Sequence, residues 1–410
     1  MDFQLPDADD PRRVAVREWF DDHPKPTSRQ LAEAGYVAPQ WPAPWGLGAD
    51  PIHQLIIDDE LSKAKVRRPV NPIGIGWAGP TLMHAGTVDQ KKRYLPSMLS
   101  GEEFWCQLFS EPGSGSDLAG LSTRAVRDGD EFVVNGQKIW TSGAQHAAFG
   151  ILLARTDPDV PKHKGISYFI CPMSTAGIEI RPIIEMTGAH TFNEVFFTDV
   201  RIPAENMVGE LNDGWRLAKV TLGNERISLS TGGVLWGRGP TALELIESIT
   251  DRGPVTDATM RQRIADVYIE HTLLDLIRLR TLSARLKGQQ PGPEASVRKI
   301  LADEHGQHVM ELARDLLGAA AMLTGGDGLD DVAPGTRPRG LGPDKPEGGL
   351  LHPGWYEGYL FSQALTIGGG TGDVQRNIVG ERVLGLPHEV DVTTGVSWAE
   401  TQRGGRVAAG

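Results

Sequence analysis

Three segments of the chain combine glycine, hydroxyl and aromatic residues in patterns that suit a flat or anionic ligand. Residues 108–117 read LFSEPGSGSD, and such small residues let backbone N–H groups approach anionic or carbonyl oxygens closely. Residues 135–143 read NGQKIWTSG, which we interpret as a hairpin turn and a strand. That strand would present Trp140 and Ser142 on one face, where an indole can lie against a planar ring.

The third segment, residues 367–376, reads IGGGTGDVQR and predicts an anion-binding nest at a helix N-terminus. Taken singly, each of the three segments also has a purely structural interpretation. The first could be a loop that only turns the chain, the second a core tryptophan beside a surface serine, and the third a flexible interhelical loop.

A fourth segment, residues 221–228, predicts a helix that carries one acid between two apolar patches. At about 100° per residue, Glu225 falls between two apolar surfaces of this helix. The larger is a stripe of Leu217, Val220, Ile227 and Leu235, and the smaller is a patch of Leu222 and Leu229. Burial in such surroundings disfavours the charged form of a carboxylic acid, which suits a general base. The alternative is a carboxylate paired with a neighbouring arginine at the edge of a bundle, and periodicity alone favours neither.

The composition argues against several other classes of protein. The 410 residues hold 41 Lys and Arg against 53 Asp and Glu, and a net charge of −12 disfavours a dedicated binder of nucleic acid or anionic membranes. The chain has no apolar run of about 18 residues, no signal-peptide pattern and only two cysteines. It also lacks a GxGxxG after a strand and a Walker A sequence. We expect a cytoplasmic protein without a metal site.

The order of predicted elements is helices, then strands, then helices, which indicates an α+β fold. Residues 1–103 predict an N-terminal helical domain. Residues 104–212 hold short β-branched and aromatic runs, separated by turn signals such as Asn135-Gly136, and predict a small β-sandwich or barrel. Residues 213–390 predict a helical bundle with a long Gly/Pro-rich loop at 325–354, and residues 391–410 predict a frayed tail.

Together and in this order, the four segments resemble the acyl-CoA dehydrogenase family. Residues 110–117 match the family's Thr/Ser-Glu-Pro-x-x-Gly-Ser-Asp loop, and residues 135–142 are similar to its Asn-Gly-x-Lys-x-Trp-Ile-Thr strand. Residues 368–376 are similar to its Tyr-Glu-Gly-Thr-x-x-Ile-Gln-Arg segment. The resemblance covers nearly the whole chain. It implies an N-terminal helical domain, a central β domain and a C-terminal four-helix bundle, with FAD between the last two.

The resemblance assigns cofactor-binding roles to residues of the three matching segments. It implies that Phe109 and Ser110 bind the pyrimidine end of the flavin. Trp140 would flank the isoalloxazine ring, and Ser142 would hydrogen-bond near flavin N5. Thr371 would lie at the phosphate or ribityl region of FAD.

The resemblance also implies contacts with the substrate. Ser116 would lie near the FAD phosphates and the pantetheine arm of CoA. Arg226, which follows the predicted base directly, is predicted to bind the substrate as well.

Two positions bear on the catalytic base. Many family members carry a Glu immediately before the Gly-Thr of the last motif, where this chain has Gly369. Isovaleryl- and long-chain-type members carry it instead in a Glu-Arg pair on the first long helix of the bundle, as in Glu225-Arg226 here. Together with the helix geometry, this favours Glu225.

The resemblance implies a concrete reaction. Glu225 would remove the α-proton of an acyl-CoA thioester while a hydride passes from Cβ to flavin N5, giving a trans-2-enoyl-CoA. The backbone N–H of Gly369 and a ribityl hydroxyl would hydrogen-bond the thioester carbonyl as enolate charge develops.

Two other family segments are altered in this chain, which bears on its partners. The family's Arg-x-x-Phe-Gly, which reaches the FAD of a neighbouring subunit, is replaced by Ile249-Thr-Asp-Arg-Gly-Pro, and its Gln-x-x-Gly-Gly by Asp315-Leu-Leu-Gly-Ala-Ala. We therefore expect a homo- or hetero-oligomer, with a paralogous chain supplying the missing groups. Some actinobacterial members that act on sterol side-chain thioesters resemble this arrangement.

The resemblance further implies an acceptor similar to electron-transfer flavoprotein. Two other readings stay open. One is a flavin oxidase or monooxygenase on the same fold, and the other is a non-catalytic subunit of a heteromeric acyl-CoA dehydrogenase.

Overall fold

The structure, a computed structural model, describes residues 6–229, 240–251, 253–288, 292–318, 353–388, 390, 393 and 395–407. The side chains of residues 226–229, 285, 353 and 403–407 lie outside this description. The Gly/Pro-rich loop predicted at 325–354 falls almost entirely on residues outside it.

The N-terminal part is helical, as the sequence predicts. It contains α1 (Pro11–Asp22), α2 (Ser28–Glu33), α3 (Pro51–Lys63), α4 (Gly79–Ala85) and α5 (Val88–Ser100), with a π-helical turn at Gly74–Ala78 before α4. Side-chain caps begin most of these helices: Asp10 and Asp50 cap helices that start with proline, and Thr27 and Thr87 form capping boxes. Gly101 ends α5 in the left-handed conformation, with φ +74°.

The central part is a sheet of eight strands. They are β1 (Trp105–Leu108), β2 (Arg124–Asp128), β3 (Glu131–Lys138), β4 (Phe149–Arg155), β5 (Ile166–Pro172), β6 (Ile178–Pro182), β7 (Asn193–Pro203) and β8 (Met207–Val208). The order is β6-β7-β3-β2-β4-β5-β8, and β1 lies parallel to β4. Helical ends around a central β domain confirm the predicted fold class.

Two local predictions in this part are wrong. Asn135-Gly136 is not a hairpin turn, because both residues lie within β3, at a shift in its register against β7. A Cβ at Gly136 would lie 2.4 Å from Oγ1 of Thr123, the residue before β2, so close packing against Thr123 requires this glycine. The strand also does not reach residues 140–142: β3 ends at Lys138, and Trp140 has φ +59°.

The C-terminal part returns to helix. It contains α6 (Gly214–Leu229), α7 (Ala242–Thr250), α8 (Ala258–Leu286), α9 (Ala295–Leu317), α10 (Pro353–Ser362) and α11 (Gly372–Ile378), followed by a π-helical turn at Val379–Val383. Helix α9 packs against α8, α10 and α11 around a core that includes Val309, Met310 and Trp355. Helix α6 also contacts α9 but packs mainly on β5 and α4, and its Leu217 and Ala218 belong to the core shared by the N-terminal helices and the sheet.

The predicted frayed tail is wrong for residues 398–407, which form helix α12. The Trp398 indole N–H donates to Gly120 O at 3.1 Å, and the Arg155 guanidinium lies 4.9 Å from the centre of the Trp398 ring. The backbone N–H of Trp398 also donates to Val160 O. These contacts hold α12 against the β domain. Among the described residues, no helix combines the length and apolar character needed to cross a bilayer.

Candidate active site

A buried ion pair joins the 108–117 loop to strand β3. The Glu111 carboxylate accepts from the backbone N–H groups of Ser122 (2.6 Å) and Thr123 (2.9 Å) and from Lys138 Nζ (2.8 Å). Lys138 is fully buried and also donates to Phe109 O at 3.0 Å. The Glu of the first motif and the Lys of the second therefore hold the two motifs together.

The charges of this pair follow from its surroundings. Burial raises the pKa of Glu111, but Lys138 and the hydrogen-bond donors outweigh burial and hold that pKa below its usual 4.5. Burial lowers the pKa of Lys138, and Glu111 opposes this shift. We therefore assign an ionised carboxylate to Glu111 at neutral pH, because three donors converge on it.

The 139–142 segment presents an exposed aromatic ring beside a buried hydroxyl. Ile139 N–H donates to Ser110 O at 2.9 Å, so this segment and the first motif run side by side. The Trp140 side chain is 57% exposed and meets Phe192 edge-on, with ring centres 6.0 Å apart. The core-tryptophan alternative is therefore wrong. Ser142 is partly buried two residues further on.

Thr141, which is not among the site residues predicted from the sequence, lies between these two residues. Its side chain is fully buried, and its Oγ1 has no hydrogen-bond partner among the described residues. Backbone bonds between Thr141 and Asn193 hold it in place, with N···O distances of 3.0 and 3.1 Å. A buried hydroxyl without a protein partner is the kind of group that a bound ligand satisfies. The signal available in the sequence was a second hydroxyl residue directly after Trp140.

The tip of the first motif is open. Glu111 and Ser114 exchange backbone hydrogen bonds of 3.0 Å, and Ser116 is exposed. A Cβ at Gly113 or Gly115 would meet nothing within 4 Å, so protein packing does not require these glycines. Space above the loop is what close approach of a ligand to its backbone needs.

The predicted base lies next to the start of this loop. Glu225 on α6 is 8% exposed, and Gln107 Nε2 donates to Glu225 Oε2 at 3.0 Å. Gln107 is the third residue of β1, two residues before Phe109. Gln107 is not among the site residues predicted from the sequence, although a polar residue in the apolar run WCQLF is a usable signal. The side chain of Arg226 lies outside the described residues.

The 367–371 loop is built from hydrogen bonds to buried side chains. Gly369 and Gly370 have φ of +68° and +91°, a conformation that favours glycine. Lys299, fully buried on α9, donates to Leu365 O (3.1 Å) and Gly368 O (3.0 Å) and pairs with Asp303 at 2.5 Å. The flexible-loop alternative is therefore wrong. Burial raises the pKa of Asp303 to about 6, against the opposing effect of Lys299.

Thr371 and Gln375 complete this loop. Thr371 caps α11, with its Oγ1 accepting from Val374 N–H at 3.2 Å, and its own O–H can still donate. Gln375 is 1% exposed; its Nε2 donates to Gly369 O at 3.3 Å, while its Oε1 has no partner among the described residues. Helix α11 has only seven residues, so its N-terminus by itself makes no anion site.

Hydrogen bonds thus link the 107–111 and 138–142 segments and Glu225. The 365–375 loop is fixed separately, to α9, and α9 contacts α6. The fold and site define an enzyme in which a β domain and a helical bundle present an exposed indole, a buried acid and polar atoms that have no partner within the described part of the chain.

Comparison with known proteins names the class. Residues 10–102, 106–200 and 212–384 match the N-terminal, middle and C-terminal domains of acyl-CoA dehydrogenase. The chain belongs to the acyl-CoA dehydrogenase family and is an oxidoreductase of that type. Members of this family bind FAD and take part in fatty-acid β-oxidation and other lipid metabolism.

Individual relatives differ in how much of their length the chain covers. It is 43% identical over 357 residues to acyl-CoA dehydrogenase FadE34 of Mycobacterium tuberculosis, covering 87% of this chain but only 45% of that protein. It is 36% identical to acyl-CoA dehydrogenase IpdE1 of the same organism, covering 88% of each. The chain therefore spans less than half of the first relative and most of the second.

Solved structures show the same arrangement of domains. The chain superposes on "Tcur3481-Tcur3483 steroid ACAD" with a TM-score of 0.73 and 30% identity, covering 95% of this chain and 100% of that one. For the ChsE4-ChsE5 complex from Mycobacterium tuberculosis the TM-score is 0.71 and the identity 31%, with the same coverage.

The residues present fit an FAD. The exposed face of Trp140 can lie against a planar ring, and the Thr141 hydroxyl needs a polar partner that the described protein does not supply. Open space around Gly113 and Gly115 leaves room for a ligand to approach the backbone of this loop closely.

Proposed function

We propose that the chain catalyses FAD-dependent α,β-dehydrogenation of an acyl-CoA thioester to a trans-2-enoyl-CoA, with Glu225 as the base. The observation that carries the proposal is the position of Glu225. It is nearly buried, it accepts a hydrogen bond from Gln107, and Gln107 leads directly into the loop that contains Phe109 and Ser110.

Each residue then has a defined task. The Glu225 carboxylate takes the α-proton, and Gln107 holds one of its oxygens. The backbone N–H of Gly369 donates to the thioester carbonyl, where negative charge develops as the α-proton leaves. Phe109, Ser110, Ser142 and Thr371 would hold an FAD against Trp140, and the bound FAD would supply the acceptor for the hydride from Cβ. Ser116 would lie towards CoA, and Arg226 is retained as a substrate-binding residue on the resemblance alone.

A bulky acyl group is the substrate class that these features support. Gly369 has no side chain at the position where many family members carry an acid. Lys299 holds the backbone of the 367–371 loop by donating to Gly368 O. The similar Tcur3481-Tcur3483 protein is a steroid ACAD. We therefore place steroid-type thioesters before short linear ones.

An exposed apolar face of α8 and the ion pairs of Asp315 support a heteromeric assembly. Helix α8 buries Val267 and Leu274 but leaves a second apolar face open, consisting of Tyr268, Ile269, Leu273 and Leu276, each 45–55% exposed. Asp315, which replaces the family's Gln, is held by Arg263 at 2.7 Å and by Arg314 at 2.7 Å. That carboxylate is thus engaged within its own chain, which supports a partner of different sequence such as that in the ChsE4-ChsE5 complex.

The test is anaerobic reduction of the purified flavoprotein by a panel of acyl-CoAs, from butanoyl to steroidal. We expect Glu225→Gln to retain FAD and lose flavin bleaching by about a thousandfold or more. Glu210→Gln, an exposed acid just before α6, is the matched control and should behave as wild type. Bleaching by the Glu225→Gln protein at the wild-type rate contradicts the base assignment.

Two other outcomes point to the rival functions. A colourless protein that gains activity only with a paralogous chain indicates a non-catalytic subunit. Rapid H₂O₂ release without an added electron acceptor indicates an oxidase. Transfer of electrons to an electron-transfer flavoprotein-like acceptor supports the dehydrogenase.

A further inference from the structure

Three buried hydroxyl groups meet where the three parts of the fold come together. Thr81 lies on α4, Tyr168 on β5 and Thr221 on α6, and all three side chains are 0% exposed. Thr221 Oγ1 lies 2.7 Å from Thr81 Oγ1 and 3.1 Å from Tyr168 Oη. We call these residues the hydroxyl cluster.

Two arrangements of protons satisfy the cluster, and in both the Tyr168 hydroxyl donates to Thr221 Oγ1. Either Thr81 donates to Thr221, which donates to Leu217 O at 3.3 Å, or Thr221 donates to Thr81, which donates to Trp77 O at 3.1 Å. Tyr168 stays protonated, because burial raises the pKa of its phenol. Hydrogen bonds to α4 and β5 therefore fix Thr221, and with it the rotation of α6 about its axis and its position along that axis.

The position of Thr221 connects the cluster to the proposed base. Residues four apart on a helix lie on the same face, so Glu225 lies one turn beyond Thr221. A rotation of α6 that broke the Thr221 bonds would move the Glu225 carboxylate as well.

Tyr168 connects the same cluster to Phe109, which the proposed function places beside the flavin. Its ring meets that of Phe109 edge-on, with centres 6.0 Å apart and planes at 86°. Phe109 is 2% exposed, and its carbonyl accepts from Lys138. One phenol thus touches both the residue beside the proposed flavin position and the helix that carries the base.

We infer that the hydroxyl cluster sets the distance between the Glu225 carboxylate and the substrate carbon, which makes Thr221 and Tyr168 positioning residues for proton abstraction. This inference rests on the proposed function. Its chemical reason is that proton transfer from carbon requires close alignment, and a displacement of about 1 Å can cost about a hundredfold in rate.

The alternative is that the cluster only satisfies buried polar groups and stabilises the fold. Three variants separate the two roles. Thr221→Val keeps the shape and removes the hydroxyl, Thr221→Ser keeps the hydroxyl, and Tyr168→Phe removes only the phenol oxygen. Val16→Ala, in the same core but on α1, is a control that lowers stability without touching α6.

We expect Thr221→Val and Tyr168→Phe to lower the limiting rate of anaerobic flavin reduction about 10- to 100-fold. FAD content and the substrate concentration for half-maximal rate should stay within about threefold of wild type, and Thr221→Ser should restore most of the rate. Val16→Ala should lower the Tm and leave the rate unchanged. A crystal structure of Thr221→Val should show the Gln107–Glu225 contact lengthened.

Wild-type rates in both Thr221→Val and Tyr168→Phe overturn the inference, whatever their Tm. If Thr221→Val does not fold, Tyr168→Phe and Thr221→Ser still decide the question. Failure of the proposed function is distinguishable, because it appears as activity in Glu225→Gln. An inactive Glu225→Gln together with wild-type rates in both Thr221→Val and Tyr168→Phe refutes the positioning role alone.

Discussion

Gln107 Nε2 donates to Glu225 Oε2 at 3.0 Å, and this bond joins the third residue of β1 to the helix that begins the C-terminal part. The other Gln107 side-chain atom, Oε1, is buried and has no partner among the described residues. The amide therefore orients the carboxylate on one side and offers an acceptor on the other.

Removing this donor should slow the reaction without releasing the cofactor. We expect Gln107→Leu to reduce the rate of anaerobic flavin bleaching about tenfold, because the carboxylate loses the bond that orients it. Gln137→Leu removes a side chain of the same kind that bonds Glu194 on the sheet, and it should have no effect on the rate. Equal rates for Gln107→Leu and wild type would show that the amide is dispensable.

Loss of the Glu111 carboxylate should destabilise the site and change the pH dependence of stability. Removing one partner of a buried pair costs about 3 kcal/mol or more, here because Lys138 would stay buried without its counter-charge. We expect Glu111→Gln to unfold at lower urea concentration and to bind FAD more weakly. Glu111→Gln/Lys138→Met should recover part of the stability.

The sign of the pH effect follows from the lowered pKa of Glu111. Its stabilising contribution is present above the unfolded pKa of about 4.5 and disappears as pH falls through the lower folded value. The difference in unfolding free energy between wild type and Glu111→Gln should therefore be constant from pH 7 to about 5 and shrink below that. A difference that grows on acidification would contradict the assignment.

The Lys299 ammonium should matter for the geometry of the 367–371 loop more than for the fold. Lys299→Met leaves Leu365 O and Gly368 O without their donor and Asp303 without its partner. Lys299→Met/Asp303→Leu removes the stranded charge and should restore most of the Tm. We expect the double variant still to require about tenfold more acyl-CoA for half-maximal flavin reduction, because the Gly369 N–H is no longer held in place. Full recovery of both quantities would refute the positioning of this loop by Lys299.

Trp398 should hold the C-terminal helix on the β domain. Trp398→Ala removes a hydrogen bond to Gly120 O and the contact with Arg155, together worth about 2 kcal/mol. We expect α12 to become accessible to limited proteolysis and the Tm to fall by a few degrees. Trp398→Phe keeps the ring and should show a smaller change. Protease resistance equal to wild type in Trp398→Ala would contradict the contact.

Local pattern in the sequence was enough for the class of fold and for most of its elements. Short β-branched runs predict β4, β5 and β7, and long periodic segments predict α8 and α9, because these patterns depend on which face of an element is buried. The same pattern was misleading at Asn135-Gly136. A dipeptide typical of turns lies inside β3, where packing against Thr123 admits only glycine.

What only the tertiary structure decided are the contacts between residues far apart in the chain. Glu111 and Lys138 could each be chosen as motif residues, but their pairing depends on how the loop after β1 approaches β3. Gln107 and Glu225 lie 118 residues apart in the sequence, and Trp398 and Gly120 lie 278 apart. The hydrophobic periodicity of a single helix or strand therefore predicts neither contact. Periodicity places a side chain on a face of its own helix or strand, whereas the group opposite it is set by packing of the whole core.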